Sequence, residues 1–270
     1  MRYFTTEVRE GSRAFLEVYV RENQEQPGQD KRPCVIICPG GAYVFCGDRD
    51  SEPNALAFLG EGFQACVLRY TIRESETEPP LHDEPMRDAA AAVRYVRTHA
   101  ADLGVDPKKI ILLGVSAGGH TASCAAVFWD DETHIPGGGD ALGRPDGLVL
   151  CYPVITGGIY AHRQSIANLT GREECCPEND AYSVENFVRP DTCPAFLWQP
   201  AGDETVPSEN AMLLAEALQK NHVPFELHLY TQGWHGIGLA DAEVGSHFPH
   251  VASWYPLALN WLARMGLGPR

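Results

Sequence analysis

The chain has 270 residues, with 36 Asp plus Glu against 21 Lys plus Arg and a formal net charge of −15. Such acidity excludes a basic footprint for nucleic acid or anionic lipid, and no stretch is long and apolar enough to span a bilayer. One large core fits this length, and the nine cysteines, an odd number with no C-x-x-C pair, point away from zinc and toward buried, reduced thiols.

The N-terminal residues carry no apolar signal-peptide core, so with the thiols they predict a cytoplasmic location. Residues 14–20 alternate apolar and polar, as an antiparallel edge strand does. Residues 21–33 are polar with Pro and Gly and read as a surface loop. A buried strand follows at 34–38 and ends in Pro39-Gly40-Gly41-Ala42-Tyr43. A helix is expected over 51–61 with Ser51 as its N-cap, then a strand over 64–70. Residues 84–101 place Met86, Ala89, Ala90, Val93 and Val96 at helical spacing.

The run 110–113 is continuously apolar and suits a strand buried on both faces. Gly114-Val115-Ser116-Ala117-Gly118 comes next, and residues 117–129 read as a helix. Strand, tight turn and helix are the context that makes G-x-S-x-G a nucleophile elbow. Further on come a glycine-rich loop at 137–144, a strand at 147–151 and a long irregular stretch at 152–193. Strands at 194–199 and 224–230 flank a helix at 208–221, and a closing helix spans 251–265.

This alternation predicts an α/β fold of the α/β-hydrolase type. Its central sheet is mostly parallel, with helices on both faces and an antiparallel N-terminal edge. The chain reads as one domain over 1–270, and 152–193 is a candidate small cap over the site. Ligands of such sheets sit beyond the carboxyl ends of the strands, so the segments just after each strand carry the chemistry.

Four of those segments supply what acyl transfer needs. Ser116 offers a hydroxyl that requires a neighbouring base. His235, between Gly233 and Gly236, can be that base. Asp203 can hold the imidazole in one tautomer, with the adjacent Glu204 as the rival acid. A negative oxygen formed on the substrate needs preorganised donors: the N–H of Ala117, and that of Gly41 or Ala42. Trp234 and Tyr43 are equally readable as pocket walls or as packing. His120 is expected to pack against the sheet.

Gly-Val-Ser-Ala-Gly-Gly-His, Pro-Gly-Gly-Ala-Tyr, Asp203-x-x-Val206-Pro207 and Gly-Trp-His-Gly together resemble α/β-hydrolase-fold serine esterases. The likeness is to bacterial esterases related to acetylxylan esterases and to feruloyl-esterase-like proteins. It runs from Cys34 to the final helix. It implies Ser116 as nucleophile, Asp203 as acid and His235 as base, with no metal or organic cofactor. The substrate it implies is a small-molecule or oligosaccharide ester bearing a small acyl group, such as acetyl. Related enzymes often carry His-Gly-Gly-Gly where this chain has Pro39-Gly40-Gly41-Ala42, and Ala42 still supplies an N–H. A peptidase or amidase, a general short-chain carboxylesterase and a binding protein without chemistry are the rival readings.

Overall fold

In a computed structural model of the chain, residues 1–22, 31–137, 141–245 and 248–269 are described. Parts of two expected loops, 23–30 and 138–140, lie outside the described residues. The strands are β1 (Arg2–Glu7), β2 (Phe15–Val20), β3 (Arg32–Cys38), β4 (Gln64–Arg69), β5 (Val105–Val115), β6 (Gly147–Cys151), β7 (Ala195–Pro200) and β8 (Phe225–Tyr230). They form one sheet in the order β1-β2-β4-β3-β5-β6-β7-β8. The pairings β1–β2 and β2–β4 are antiparallel, and all pairings from β4 through β8 are parallel.

The helices are α1 (Glu52–Gly60), α2 (Glu84–Thr98), α3 (Ala100–Leu103), α4 (Ala117–Val127), α5 (Arg163–Thr170), α6 (Pro177–Asp180), α7 (Glu209–Lys220), α8 (Pro249–Ala252) and α9 (Trp254–Arg264). Side-chain alternation along the strands sorts the core into two layers. Cys34, Ile36 and Cys38 of β3, with Ile110 and Leu112 of β5, face α2, α4 and α7. Val35 and Ile37, with Ile111, Leu113 and Val115, face α1 and α9. Among the described residues no helix is long and apolar enough to cross a membrane.

Three expectations need correction. Residues 14–20 do not form the edge strand, because β1 pairs outside β2. No alternation marks β1, since neither of its faces is fully buried. The closing helix is two pieces, α8 and α9, rather than one. Pro256, the third residue of α9, has no N–H to donate to Ala252, and the helix breaks before it, at Ser253. Ser51 stands at the start of α1 without capping it; its hydroxyl donates instead to the Gly47 carbonyl at 2.7 Å.

An ion pair secures the start of α2. His134 Nδ1 lies 3.0 Å from Asp83 Oδ1, and the Tyr182 hydroxyl donates to the same oxygen at 3.0 Å. The Asp83 bond raises the His134 pKa, and burial opposes it only in part. Asp83 is lowered: burial pushes it up, but the His134 bond, Tyr182 and Arg87 outweigh that. A raised histidine contributes stability that is complete below its unfolded pKa, about 6.5, and is lost as pH rises through the folded value. The lowered carboxyl loses its share only as pH falls through its own folded pKa. Thermal melts of His134→Gln against wild type should therefore differ by about 1 kcal/mol at about pH 5.5, and the gap should close above about pH 8. A pH-independent gap would show that the pair contributes no charge.

Candidate active site

Parallel strands deliver four segments to one rim. Each follows its strand directly: the 39–45 loop after β3, Ser116 after β5, Asp203 after β7 and His235 after β8.

Ser116 occupies a strained backbone conformation, φ 54° and ψ −120°, that side chains rarely adopt. The strain persists because the surroundings fix it. The Ser116 N–H donates to Cys151 O at 3.0 Å, and its carbonyl accepts from Gly119 N at 2.9 Å and Val154 N at 3.0 Å. Its turn also brings the start of α4 against the end of β3. A Cβ on Gly118 would lie 2.0 Å from Cys38 O, and one on Gly114 would lie 2.5 Å from Gly118 O. Only glycine fits either place.

The Ser116 hydroxyl lies 2.7 Å from His235 Nε2, and His235 Nδ1 lies 2.7 Å from Asp203 Oδ2. The Asp203 side chain is fully buried and its acceptors are well occupied. Oδ1 accepts from the N–H groups of Thr205 and Val206, both at 2.9 Å, and Oδ2 also accepts from Gln199 Nε2 at 3.2 Å. A carboxylate held this way accepts the Nδ1 proton, so Nε2 is the bare nitrogen and the serine hydroxyl donates to it. Glu204 is exposed and stands outside this chain of bonds.

The histidine loop is braced from three elements. Tyr152 sets its ring edge-on to His235, centroids 5.0 Å apart, and its hydroxyl accepts from Gly238 N at 2.9 Å. The Trp254 indole of α9 donates to Gly238 O at 3.2 Å. Arg49 donates to Gly236 O at 2.9 Å and so ties this loop to the segment after β3.

The 39–43 loop turns its carbonyls away and leaves amides free. Pro39 O accepts from the Tyr70 hydroxyl at 2.6 Å, Gly40 O from Gly47 N at 2.8 Å, and Gly41 O from Val44 N at 2.9 Å. Ala42 O accepts from Asn168 Nδ2 at 2.9 Å, and Tyr43 O from Arg73 N at 2.8 Å. Gly41, with φ 140°, has no room for a side chain, because its Cβ would lie 2.0 Å from Phe45 O. Among the described residues the amides of Gly41, Ala42 and Ala117 have no acceptor. Ala117 is buried and Gly41 and Ala42 partly so, and an amide without a protein acceptor is open to an incoming one.

A cavity of about 250 Å³ stands over Ser116. Gly41, Ala42, Phe45, Tyr152, Thr205 and His235 help to line it; Ala117, buried at the first position of α4, does not. Beside it runs a larger polar groove of about 790 Å³, whose walls include Val44, Arg73, Glu74, Arg163 and Asn168. Gln164 belongs to both.

Tyr43 and Trp234, open between pocket wall and packing in the sequence, both pack outside the cavity. Tyr43 is buried away from the cavity, and its hydroxyl bonds His120 Nδ1 at 2.8 Å. Trp234 is exposed and packs edge-on against Phe248. His120 does not simply pack against the sheet: its Nε2 donates to Tyr182 O at 2.7 Å, and burial lowers its pKa to about 4. Burial pushes the Cys46 thiol up to about 12, so no thiolate competes with Ser116 there. Asp50, Tyr152, His162 and Phe45 line the cavity and belong to no motif that sequence reasoning singled out, although Phe45 and Asp50 lie in the segment just after β3. Among the described residues no group of three or more His, Cys, Asp or Glu could hold a metal ion.

Fold and rim are those of an α/β hydrolase. The family model BD-FAE matches residues 16–137, and that of the prolyl oligopeptidase family matches residues 159–260. A solved structure of an acetyl ester-xyloside bifunctional hydrolase from Caldicellulosiruptor lactoaceticus is 35% identical, with a TM-score of 0.81, and the match covers 94% of this chain and 89% of that one. Endo-1,4-beta-xylanase B of Butyrivibrio fibrisolvens is 39% identical over 79% of this chain and 34% of its own length. The acetylxylan esterase of Xylanibacter ruminicola is 25% identical over 87% of this chain and 46% of its own. This chain thus spans about a third to a half of the length of these two curated relatives. It belongs to the α/β-hydrolase-fold serine esterases, in the group related to acetylxylan esterases and feruloyl-esterase-like proteins.

The packing at the elbow makes a direct prediction. Gly118→Ala should cost about 2–3 kcal/mol in thermal unfolding, because backbone on both sides must move. Gly202→Ala, whose Cβ meets nothing within 4 Å, should leave the melt unchanged. Equal melting temperatures for the two variants would show that the close approach is not tight.

Proposed function

We propose that this chain is a serine carboxylesterase that removes small acyl groups, acetyl above all, from sugars or xylo-oligosaccharides. The observation that carries the reading is the unbroken chain Ser116–His235–Asp203, with both links at 2.7 Å, beneath a cavity lined by unoccupied amides. The names of the acetylxylan esterase and of the acetyl ester-xyloside hydrolase support the substrate class.

The steps follow from the proton positions. Ser116 Oγ attacks the ester carbonyl as its proton passes to His235 Nε2. The carbonyl oxygen becomes an oxyanion, which accepts from Ala117 N–H and from Gly41 or Ala42. Asp203 stabilises the imidazolium without taking its proton. His235 then protonates the departing sugar alcohol, and the C–O bond breaks to leave the acyl-serine. A water molecule, deprotonated by His235, attacks this ester; collapse releases the acid and returns the proton to Ser116 Oγ. The sequence requires no metal and no organic cofactor.

The two spaces divide the substrate. Phe45, Tyr152 and Thr205 narrow the smaller cavity, which suits a short acyl chain. The polar groove beyond Gln164, with its arginine, asparagine and carboxylate side chains, suits a hydroxyl-rich leaving group. In this reading the chain is one domain, and 152–193 is a small cap: it brings His162 and Gln164 to the cavity and holds Ala42 through Asn168. A cytoplasmic enzyme would meet short oligosaccharides rather than polymer.

A peptidase or amidase is the second reading, favoured by the prolyl oligopeptidase match over 159–260. Rates on acetyl esters and on amino-acyl anilides separate the two, and the proposal expects the esters to win by at least about tenfold. Acetyl esters should likewise outrun octanoyl esters by about tenfold or more. A fluorophosphonate probe should label wild type but not Ser116→Ala. Asp203→Asn should stay folded and lose about 10³–10⁴ in kcat. An unlabelled wild-type protein would sink the reading.

A further inference from the structure

Asp50, just before α1, is a buried acid that the steps above leave unused. Its residue is 6% exposed, and its carboxylate touches the site from behind. Oδ2 accepts from the Gly40 N–H at 3.2 Å. Oδ1 is buried and has no hydrogen-bond partner among the described residues, although the Tyr152 hydroxyl is near enough to the carboxylate to lower its pKa. Among the described residues no cation forms an ion pair with it, and the neighbouring Arg49 donates to Gly236 O.

Gly40 is the residue through which this acid reaches the reaction. Its Cα packs so close that an added Cβ would lie 2.9 Å from Asp50 Oδ2 and 3.2 Å from Ser116 Cβ. Gly40 is therefore packed against both the acid and the nucleophile, with no room for a side chain between them. Its N–H is the one amide of the Gly40–Gly41–Ala42 run with an acceptor, and that acceptor is Asp50. Gly41 and Ala42 follow with φ of 140° and 52°, in a turn closed by Val44 N–H to Gly41 O. The carbonyls of 39–43 are all bonded, and the Gly40 N–H is the one amide of Gly40–Gly41–Ala42 that adds a donor bond to that hold.

We propose that Asp50 is a positioning residue: by holding the Gly40 amide it orients the Gly41 and Ala42 amides toward the oxyanion. The inference rests on the esterase reading above. Burying a half-partnered carboxylate costs the fold several kcal/mol, so a neutral residue would serve stability at least as well. Burial indeed pushes the Asp50 carboxyl upward, against the pull of the Gly40 N–H, Arg49, His235 and Tyr152. What a neutral apolar residue cannot supply is the acceptor.

The test uses steady-state hydrolysis of p-nitrophenyl acetate, with thermal melts alongside. Asp50→Leu removes the acceptor at similar size. The expectation is a fall in kcat of about 100-fold, close to the loss of one oxyanion donor, with KM within about threefold. Asp50→Asn keeps an acceptor for Gly40 and should recover at least about tenfold of that loss. Asp50→Leu within threefold of wild-type kcat, a loss carried by KM, or an Asp50→Asn as inactive as Asp50→Leu would each overturn the proposal. Should Asp50→Leu not fold, Asp50→Ala takes its place; failure of both beside a native Asp50→Asn would assign the residue to folding and overturn it too. Fluorophosphonate labelling of wild type separates this outcome from failure of the esterase reading, which would show as no labelling at all.

Discussion

The contact on which the molecule turns is the approach of the first turn of α4 to the end of β3. Cys38 O and Pro39 O lie where a side chain on Gly118 would be. With no Cβ in that gap, Ser116 can be held at φ 54° on the rim, and the loop after β3 is pulled in beside it. One steric constraint thus sets two things: where the hydroxyl stands and how near the donor amides come. Strain of this kind, about 1–3 kcal/mol, persists because the hydrogen bonds of Ser116 to Cys151, Gly119 and Val154 over-determine the turn.

Around that contact the loops of the rim are fastened to one another rather than only to their own strands. Arg49 joins the segment before α1 to the histidine loop, Tyr152 and Trp254 hold Gly238, and Asn168 of α5 holds Ala42. Each bond occupies a backbone group of the rim. Among the described residues, the amides of Gly41, Ala42 and Ala117, beside the serine, are without an acceptor. Preorganised donors of this sort need no reorientation when charge develops.

Two buried carboxylates near the site have opposite surroundings. Asp203 accepts four hydrogen bonds, from Thr205, Val206, Gln199 and His235. Asp50 accepts one, from Gly40, and burial dominates its environment. The first suits a group that must face an imidazolium. The second suits a group whose task is to hold an amide. The same residue type serves both because the hydrogen-bond supply differs, not the side chain.

Most of the architecture was legible because it is written in local periodicity. The unbroken apolar runs of β3 and β5 reflect strands buried on both faces, and the helical spacing of Met86, Ala89, Val93 and Val96 reflects a helix buried on one. β1 escaped because an exposed edge has no buried face to betray it, and the split at Ser253 because the missing donor, Pro256, lies beyond it and its cost falls four residues back. Ser116, Asp203 and His235 could be singled out since each sits directly after a strand in its own short motif. Their order and types follow from the amino-acid sequence alone. That their atoms meet at 2.7 Å, that Asp203 rather than Glu204 turns inward, and that Asp50, Tyr152, His162 and Phe45 border the cavity were decided only by tertiary packing. The reason is directional: a sequence fixes which residues a loop contains, but the aim of each side chain is set by segments a hundred residues away that close around it.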